Sequence, residues 1–380
     1  MCEVLKAMQL KKVVIITNIP SPYRVDFFYY LQQNIKKYEF HIVYSSVRNT
    51  SRQWHADESR IMNSTYLKSW NIKIKKRYDE HDIYIPHGVG KVLDELKPDV
   101  VVAMEYNPTI LMAMHWCRKH KIPYISWTDG TLNSEKNISK IQRLCRKYII
   151  TRASAFIGSS TASKETQIAY GAAPERCFIS FLTVDLQKYI RPKTEYANCQ
   201  LVTVGGLILR KGIDLLLNAL AKTDDSITLL VVGDGGEKER LIKQAEELGI
   251  SHRVFFKGFL EGEALYRCYS ESAAFVLPTR EDCFGLVTLE AMCAGLPIIS
   301  SRYADGARDL VEDQVTGVIV DPYDEQDFAD KINELMQDPK RLREMGEKGF
   351  ARIQKFSYEN VTKGYVDAID YVLRDNVAEQ

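Results

Sequence analysis

Residues 278–301 are the stretch that most constrains how this chain can fold. An apolar run stands before them at residues 273–277, and a second short run lies at residues 297–299. Runs of this length and composition are typical of buried parallel strands. Between them apolar side chains recur at helical spacing, with Gly285 just before the first turn and Gly295 after the last. The stretch therefore predicts a strand, a turn and a helix whose first N–H groups point into a crevice that can bind an anion.

The same alternation extends over most of the chain. Strand patterns at residues 11–17 and 39–44 precede a regular succession of helices and strands from residue 88 to 170, which predicts a parallel, doubly wound sheet. Residues 181–198 are polar and irregular and predict a linker, after which the alternation restarts at Leu201. We therefore expect an α/β protein with one doubly wound domain in residues 1–190 and another in residues 198–356.

Composition limits the class of protein. The 380 residues, 45% hydrophobic and 27% charged, can bury two cores. The 51 basic and 50 acidic residues nearly cancel, which argues against a nucleic-acid partner. The longest apolar runs fall far short of the ~20 residues of a membrane span, and residues 1–12 lack the apolar core of a signal peptide. Eight scattered cysteines without a CxxC pair predict neither disulfides nor zinc, and free thiols are typical of the cytoplasm.

Two acidic residues give the central stretch its chemistry. Asp282 lies on the predicted turn, and Glu290 follows two helical turns later on roughly the same side. A carboxylate beside a phosphate would be repelled, so both are expected to accept hydrogen bonds from hydroxyl groups. A diphosphate, a ribose and a sugar together describe a nucleotide-sugar. The alternative is that Glu290 completes a hydrogen-bond network inside an ordinary α/β domain.

The sequence PTREDCFGLVTLEAMCAGLP at residues 278–297 resembles the donor-site signature of family-4 retaining glycosyltransferases. Members usually have two glutamates separated by seven residues, with Phe-Gly between them. Here Asp282 occupies the first position, unless adjacent Glu281 substitutes for it, and Glu290 occupies the second. The resemblance implies a GT-B fold, in which two Rossmann-like domains face each other across a cleft and a C-terminal helix, here in residues 357–380, packs back on the first domain. Specific motifs cover about residues 200–340.

The resemblance also implies an activity and its site residues. Members transfer a sugar, with retention and without a metal or other cofactor, from a nucleotide-sugar to a glycan or lipid-linked acceptor in surface polysaccharide synthesis. Lys211 matches the usual phosphate-binding lysine, whereas Gly206 stands where members have an arginine, and Arg210 is the candidate replacement. The catalytic candidates are Lys211, Asp282 and Asp129. The donor-binding candidates are Gly206, Arg210, Lys211, Phe259, Leu260, Asp282, Phe284, Gly285, Leu286 and Glu290.

Acceptor-side candidates lie in the first half. A proline-rich loop delivers Tyr23 and Arg24 to the carboxyl edge of the predicted sheet, and Glu105 and Asp129 follow strands that end at that edge. The loop is similar to one beside the acceptor pocket of many family members. An ion pair of Arg24 with Asp26 or with a neighbouring loop is the alternative for the arginine, and a capping or loop role is the alternative for Asp129.

Two basic segments could contact an anionic membrane. Residues 139–152 form a basic amphipathic helix, and family members often rest such a helix on the inner face of the cell membrane. A helix that lines the crevice with charge for phosphate is the alternative. Residues 68–77 carry five basic residues interleaved with Trp70 and isoleucines, which fits either a lipid surface or a solvated strand or loop.

Other functions remain open at this point. A nucleotide-sugar 2-epimerase would turn over its substrate without an acceptor. A phosphorylase would release a sugar phosphate, and usually needs a pyridoxal-bearing lysine that no motif marks here. A non-catalytic sugar-nucleotide binding protein is compatible with the departures at Gly206 and Asp282.

Overall fold

The computed structural model describes residues 10–46, 56–75, 80–191 and 200–378. These residues form two halves, each built on a parallel sheet. The strands of the first half are β1 (Lys11–Thr17), β2 (Tyr38–Tyr44), β3 (Ser64–Tyr66), β4 (Lys68–Lys75), β5 (Glu80–His87), β6 (Val100–Met104), β7 (Tyr124–Thr128), β8 (Ala155–Gly158) and β9 (Cys177–Ile179). Its helices are α1 (Pro22–Asn34), α2 (Val89–Leu96), α3 (Pro108–His120), α4 (Lys140–Ile150), α5 (Thr161–Ala169) and α6 (Leu186–Tyr189).

The second half repeats the alternation. Its strands are β10 (Gln200–Val204), β11 (Thr228–Val232), β12 (Val254–Gly258), β13 (Ala274–Leu277), β14 (Ile298–Ser301) and β15 (Gly317–Val320). Its helices are α7 (Ile213–Leu220), α8 (Lys238–Glu247), α9 (Gly262–Glu271), α10 (Leu286–Cys293), α11 (Ala307–Leu310), α12 (Glu325–Met336), α13 (Pro339–Arg352) and α14 (Tyr358–Ala378). The predicted order of strands and helices in this half is confirmed.

Each sheet reverses its strand order at one point. The first sheet runs β3-β2-β1-β6-β7-β8-β9, so β1 pairs in parallel with both β2 and β6. The second runs β12-β11-β10-β13-β14-β15, so β10 pairs with both β11 and β13. Loops that leave neighbouring strands in opposite directions open a crevice at such a switch point. The loops after β1 and β6, and those after β10 and β13, are therefore placed to build a site.

Both sheets are covered by helices on two faces. Successive residues of β1 enter different cores, because side chains alternate across a strand: Val13 and Ile15 pack with α1 and α14, and Val14 and Ile16 pack with α2 and α3. The same alternation divides the residues of β10 and β11 between two cores in the second half. The doubly wound architecture predicted from the alternation of elements is confirmed.

The C-terminal helix α14 crosses back to the first half, as predicted. Its apolar face enters the core of the first sheet through Val361, Tyr365, Ile369 and their neighbours. Gly364 allows the close approach, since a Cβ at this position would lie 1.9 Å from the carbonyl oxygen of Ile179 in β9. Any side chain at this position would therefore push the helix away from the sheet.

Two segments differ from the expectation. β4 and β5 form an antiparallel hairpin outside the main sheet, in a region whose sequence has no clear period. Residues 181–191, predicted to belong to an irregular linker, instead contain α6 and bury Leu182, Val184 and Leu186 in the core of the second half. The connection between the halves is thus a packed element over its described part.

Candidate functional site

The turn between β13 and α10 is held rigidly by its own side chains. Gly285 precedes the helix with a left-handed φ of 79°, and Phe284 is buried with its ring edge-on to Phe356. The N–H of Phe284 donates to Oδ1 of Asp282 over 3.2 Å. The N–H groups of residues 284–286 were expected to bind phosphate or sugar oxygens of a donor, and of these the N–H of Phe284 is bonded within the turn in this structure.

Asp282 forms a close ion pair with the loop that follows β10. Its Oδ2 lies 2.6 Å from Nζ of Lys211 and 3.7 Å from Nη1 of Arg210. Burial acts to raise the pKa of Asp282, but the two cations and the hydrogen bonds outweigh it and bring the pKa down to about 2. The carboxylate is therefore ionised, and two cations face one anion. Arg210 also donates to the carbonyl oxygen of Glu281 over 2.9 Å, which fixes its guanidinium beside the same turn.

Backbone contact between the two loops explains why Lys211 reaches Asp282. Gly212 adopts a left-handed φ of 69°, and a Cβ there would lie 2.1 Å from the carbonyl oxygen of Pro278. Arg280 clamps the same junction, since its two terminal nitrogens each lie 2.7 Å from a carboxylate oxygen of Asp214 in α7. The sequence reading missed Arg280, because one arginine in a loop gives no sign of its partner.

Glu290 faces the neighbouring helices α9 and α6. Its Oε2 accepts a hydrogen bond of 2.8 Å from the hydroxyl of Tyr269, and α6, which carries Tyr189, packs on the same helix α10. Burial raises the pKa of Glu290 to about 7, and the hydroxyl of Tyr269 opposes the rise. The sequence reading missed both tyrosines, since aromatic residues at helical spacing usually indicate packing alone.

The remaining donor-side candidates lie on loops at the carboxyl edge of the second sheet. Backbone hydrogen bonds join these loops. The N–H of Leu207 donates to the carbonyl oxygen of Asp234 over 2.9 Å, and the N–H of Gly233 donates to the carbonyl oxygen of Gly258 over 2.8 Å. The loop with Leu207 carries exposed Gly206, and the loop after Gly258 carries Phe259, whose side chain is 42% exposed, and partly buried Leu260. Leu286, also partly buried, opens α10. The structure therefore gathers these residues along one edge, as their positions in the sequence suggest.

On the first half, Glu105 ends β6 in an unusual conformation. Its φ of 73° lies in the left-handed region, which residues with a side chain seldom adopt and which is often found at functional sites. Its Oε1 accepts a hydrogen bond of 3.2 Å from the N–H of Asp129. Burial, and after it the charge of Asp129, raises the pKa of Glu105 to about 7. Glu105 can thus exchange a proton near neutral pH.

Asp129 is held by neighbours beneath the crevice. Nη2 of Arg24 lies 2.8 Å from both carboxylate oxygens, and the hydroxyl of Ser159 donates to Oδ1. The guanidinium of Arg24 stacks 4.1 Å above the ring of Trp127, and Arg24 as a whole is only 3% exposed. Arg24 was expected to face the acceptor, and the structure instead buries it as the partner of Asp129.

The alternative expected for Arg24 was an ion pair with Asp26 or with a neighbouring loop, and the structure shows the second, because Arg24 pairs with Asp129 on the loop after β7. The carboxylate of Asp26 instead pairs with two other cations: its Oδ1 lies 2.7 Å from Nη1 of Arg60, and its Oδ2 lies 2.6 Å from Nζ of Lys188. Tyr23 is partly buried and packs against apolar side chains of the second half. The proline-rich loop therefore joins the two halves as well as bordering the crevice.

Direct contacts bring the two halves together around the central turn. The hydroxyl of Thr131 donates to Asp305, and the backbone N–H of Thr161 donates to Asp309 over 2.8 Å. Asp305 is in turn joined to the central turn, since its N–H donates to the carbonyl oxygen of Asp282 over 2.8 Å. The donor-side turn and the acceptor-side carboxyl groups therefore share one crevice, as the sequence predicted.

The basic helix α4 has an outward and an inward face. Ile141 and Leu144 are 74% and 67% exposed, beside exposed Arg143 and Lys147. Arg146 instead turns inward. Its Nε lies 2.6 Å from Oε1 of buried Glu135, and its guanidinium lies 5.0 Å from the ring centre of Tyr106. Arg146 therefore belongs to the support of the crevice and not to an outward basic surface.

The described residues contain neither a candidate metal site nor a candidate membrane span. Over residues 10–46, 56–75, 80–191 and 200–378, no group of three His, Cys, Asp or Glu side chains has an arrangement suited to a metal ion. No helix within those ranges combines the length and the apolar character needed to span a bilayer.

Comparison with known proteins decides the class of the second half. Residues 191–352 match the family described as glycosyl transferases group 1. The chain carries a group 1 glycosyltransferase domain. This domain contains the central turn, Lys211 and Glu290. A D-inositol 3-phosphate glycosyltransferase of Segniliparus rotundus is 32% identical over 178 residues, which are 45% of this chain and 39% of that protein. The chain spans less than two thirds of the length of such curated relatives.

Solved structures extend the likeness over both halves. Anabaena HepE in complex with UDP has a TM-score of 0.76 and 19% identity, over 95% of this chain and 100% of that one. The lipopolysaccharide outer core galactosyltransferase WaaB has a TM-score of 0.74 and 20% identity, over 94% and 99% of the two chains. The group 1 domain thus lies within a GT-B fold, as the sequence predicted.

Proposed function

We propose that the protein is a retaining, metal-independent hexosyltransferase that moves a sugar from a nucleotide-sugar to a glycan or lipid-linked acceptor. The observation that carries the proposal is the shared crevice: a helix start with two cations and a carboxylate on one side, and the carboxyl groups of Glu105 and Asp129 on the other. The group 1 domain and the UDP bound to HepE support a nucleotide-sugar donor. WaaB, and the exposed apolar and basic residues of α4 described below, support a role in surface polysaccharide synthesis.

In this proposal the second half binds the donor. The ribose hydroxyls donate to Glu290, and the nucleobase lies along the loop with Phe259 and Leu260. Lys211 and Arg210 meet the diphosphate. Their charge stabilises the nucleoside diphosphate as the bond between the sugar and the phosphate oxygen breaks and the leaving group takes the electron pair. Asp282 accepts a hydrogen bond from a sugar hydroxyl while it holds Lys211 in place.

The first half supplies the acceptor side. Glu105 accepts a hydrogen bond from the attacking hydroxyl and turns its oxygen towards the sugar carbon, and Tyr23 borders the acceptor. The new bond forms on the face that the leaving phosphate vacates, and the acceptor proton passes to that phosphate. Asp129, held by Arg24, positions Glu105 through its backbone N–H and does not itself take the proton. This replaces the expectation that Asp129 is a catalytic residue.

The outward face of α4 is the proposed contact with an anionic membrane surface. It combines exposed Ile141 and Leu144 with exposed Lys140, Arg143 and Lys147. Each basic residue near an anionic surface contributes about 1 kcal/mol, and apolar side chains add burial in the interface. Such a contact would place the crevice close to a lipid-linked acceptor.

A donor panel tests the proposal. Purified protein is incubated with UDP-, GDP- and dTDP-sugars, and nucleoside diphosphate release is measured for the wild type and for Lys211→Ala. We expect release from at least one donor, and a loss of two or more orders of magnitude in Lys211→Ala. NMR of the product would show the same anomeric configuration as in the donor. Release of nucleotide without transfer to any acceptor, together with a changed sugar, would instead identify an epimerase.

A further inference from the structure

The loops after β1 and β6 meet where the first sheet reverses its strand order. These two strands pair in parallel, and at their ends Oγ1 of Thr17 lies 3.6 Å from Sδ of Met104. Asn18 and Glu105 are the next residues along the chain, and both are partly exposed. Because adjacent strands lie about 4.8 Å apart, these two side chains start from neighbouring points of the crevice.

Asn18 is held in place from two sides. Its carbonyl oxygen accepts a hydrogen bond of 3.0 Å from the N–H of Ser46, which lies just beyond β2. Its side-chain oxygen Oδ1 accepts a hydrogen bond of 2.6 Å from Nδ2 of Asn107, which lies just beyond β6. The backbone and the side chain of Asn18 are therefore tied to the loops that follow the two strands on either side of β1.

The cap of α3 determines which way the amide of Asn18 points. Asn107 is the N-cap residue, and its Oδ1 accepts a hydrogen bond of 3.1 Å from the N–H of Ile110. A backbone N–H can only donate, so the oxygen of Asn107 faces the helix and its Nδ2 faces Asn18. The atom of Asn18 that meets this Nδ2 is then its oxygen. Nδ2 of Asn18 keeps two N–H donors, and no residue that the structure describes accepts a hydrogen bond from them.

We propose that Asn18 is a specificity-determining residue of the acceptor site, whose Nδ2 donates a hydrogen bond to the hydroxyl next to the attacking one. The inference rests on the acceptor role of Glu105 given above. Glu105 accepts the hydrogen bond of the attacking hydroxyl and Asn18 donates one to its neighbour, so the pair recognises two adjacent hydroxyls of a sugar ring. Asn107 is a positioning residue, since it fixes which side of the Asn18 amide is open to a ligand.

This pair of side chains also selects the class of acceptor. A sugar at the end of a glycan or of a lipid-linked oligosaccharide carries adjacent hydroxyls, each of which can donate and accept. A lipid phosphate in its dianionic form has acceptor oxygens alone, so Glu105 would find no donor in it and would meet a charge of its own sign. The acceptor that fits this part of the crevice is therefore a glycosyl residue and not a lipid phosphate.

The test is a saturation-transfer difference NMR titration of the full chain with methyl glycosides of glucose, galactose and mannose and with geranyl phosphate, each with and without UDP. We expect at least one methyl hexoside to bind to the wild type. Asn18→Ala should weaken its binding about three- to tenfold, as for the loss of one hydrogen bond. Asn107→Asp should weaken it equally, because the new carboxylate accepts the N–H groups of Asn18 and leaves the oxygen of that amide open to the ligand.

The variants have their own controls. Aspartate caps a helix as well as asparagine does, so the melting temperature of Asn107→Asp should equal that of the wild type. Asn34→Asp makes the same change of charge at an exposed residue of α1, whose Nδ2 donates to the carbonyl oxygen of Tyr30 over 2.9 Å. It should bind the methyl hexosides as the wild type does.

The outcomes separate this inference from the function on which it rests. Wild-type binding of the hexosides by Asn107→Asp would overturn it, because the direction of the Asn18 amide would then be irrelevant. Weaker calorimetric binding of UDP by Asn18→Ala would overturn it also, since the amide would then serve the donor. Failure of every methyl hexoside to bind the wild type would exclude a glycosyl acceptor here. Failure of UDP, GDP and dTDP to bind the wild type would instead overturn the transferase itself, and the titrations without nucleotide distinguish the two failures.

Discussion

The backbone N–H of Asp129 donates to the side chain of Glu105 over 3.2 Å, while the carboxylate of Asp129 is held by Arg24. The two acidic residues at neighbouring strand ends therefore have different environments. Asp129 has a buried cation as its partner. Glu105 has burial and a like charge beside it, which raise its pKa to about 7. Environments that separate two carboxyl groups in this way often separate their roles as well.

Glu105→Gln should abolish most of the transfer while leaving donor binding unchanged. The amide cannot accept the acceptor's hydrogen bond with the strength of a carboxylate, so we expect kcat to fall by about two orders of magnitude. In the wild type, kcat should rise with pH through about 7 as Glu105 ionises, and this limb should vanish in the variant. If Glu105→Gln keeps the rise in kcat through about pH 7, the ionisation of another group causes that rise.

Glu105→Gln should also change how stability depends on pH. A carboxyl group whose folded-state pKa is raised contributes stability below its unfolded value of about 4.5, and this contribution is lost as the pH rises through about 7. The variant lacks this loss. Between pH 5 and pH 8 its free energy of unfolding should therefore rise by about 1–3 kcal/mol relative to that of the wild type. Urea unfolding at the two pH values measures the difference. If the free energy of unfolding changes equally with pH in both proteins, Glu105 ionises with an ordinary carboxyl pKa.

Glu290→Ala should reduce kcat/KM for the donor by two or more orders of magnitude in a protein that remains folded. The carboxylate is expected to hold the ribose through both the ground state and the transition state, so much of the loss should appear as a higher donor KM. Circular dichroism and a thermal melt check the fold. A folded Glu290→Ala protein with wild-type turnover would remove Glu290 from the donor site.

The sequence predicted what depends on local pattern. Alternating apolar runs and helical faces determine the two parallel sheets, and strand ends place Glu105, Asp129 and Asp282 at their carboxyl edges. Long-range partners leave no such pattern. The contact of Arg24 with Asp129 spans 105 residues and that of Arg280 with Asp214 spans 66, so neither could be chosen over nearer charges. The β4–β5 hairpin was missed because its two strands pair with each other outside the main sheet, in a stretch without a clear apolar period.

Asp282→Asn should destabilise the protein mainly at neutral pH. Its folded-state pKa is lowered from 3.8 to about 2, so the ionised carboxylate contributes stability above about pH 4, and this is lost as the pH falls through about 2. The variant leaves Lys211 without its anionic partner, and we expect a loss of about 1–3 kcal/mol at pH 7. The difference between the free energies of unfolding of the variant and the wild type, measured in urea, should be smaller at pH 3 than at pH 7. A difference that is constant with pH would point to packing and not to the ion pair.

A double and a single substitution on α4 separate membrane binding from support of the crevice. Arg143→Gln with Lys147→Gln removes two exposed charges, and sedimentation with anionic vesicles should weaken by about one order of magnitude while the melting temperature is unchanged. Arg146→Gln leaves buried Glu135 without its cation, so it should lower the melting temperature and leave sedimentation unchanged. Equal sedimentation of the double variant and the wild type would exclude this face as the membrane contact. Reduced sedimentation of a folded Arg146→Gln protein would show that the inward face takes part, contrary to its burial against Tyr106.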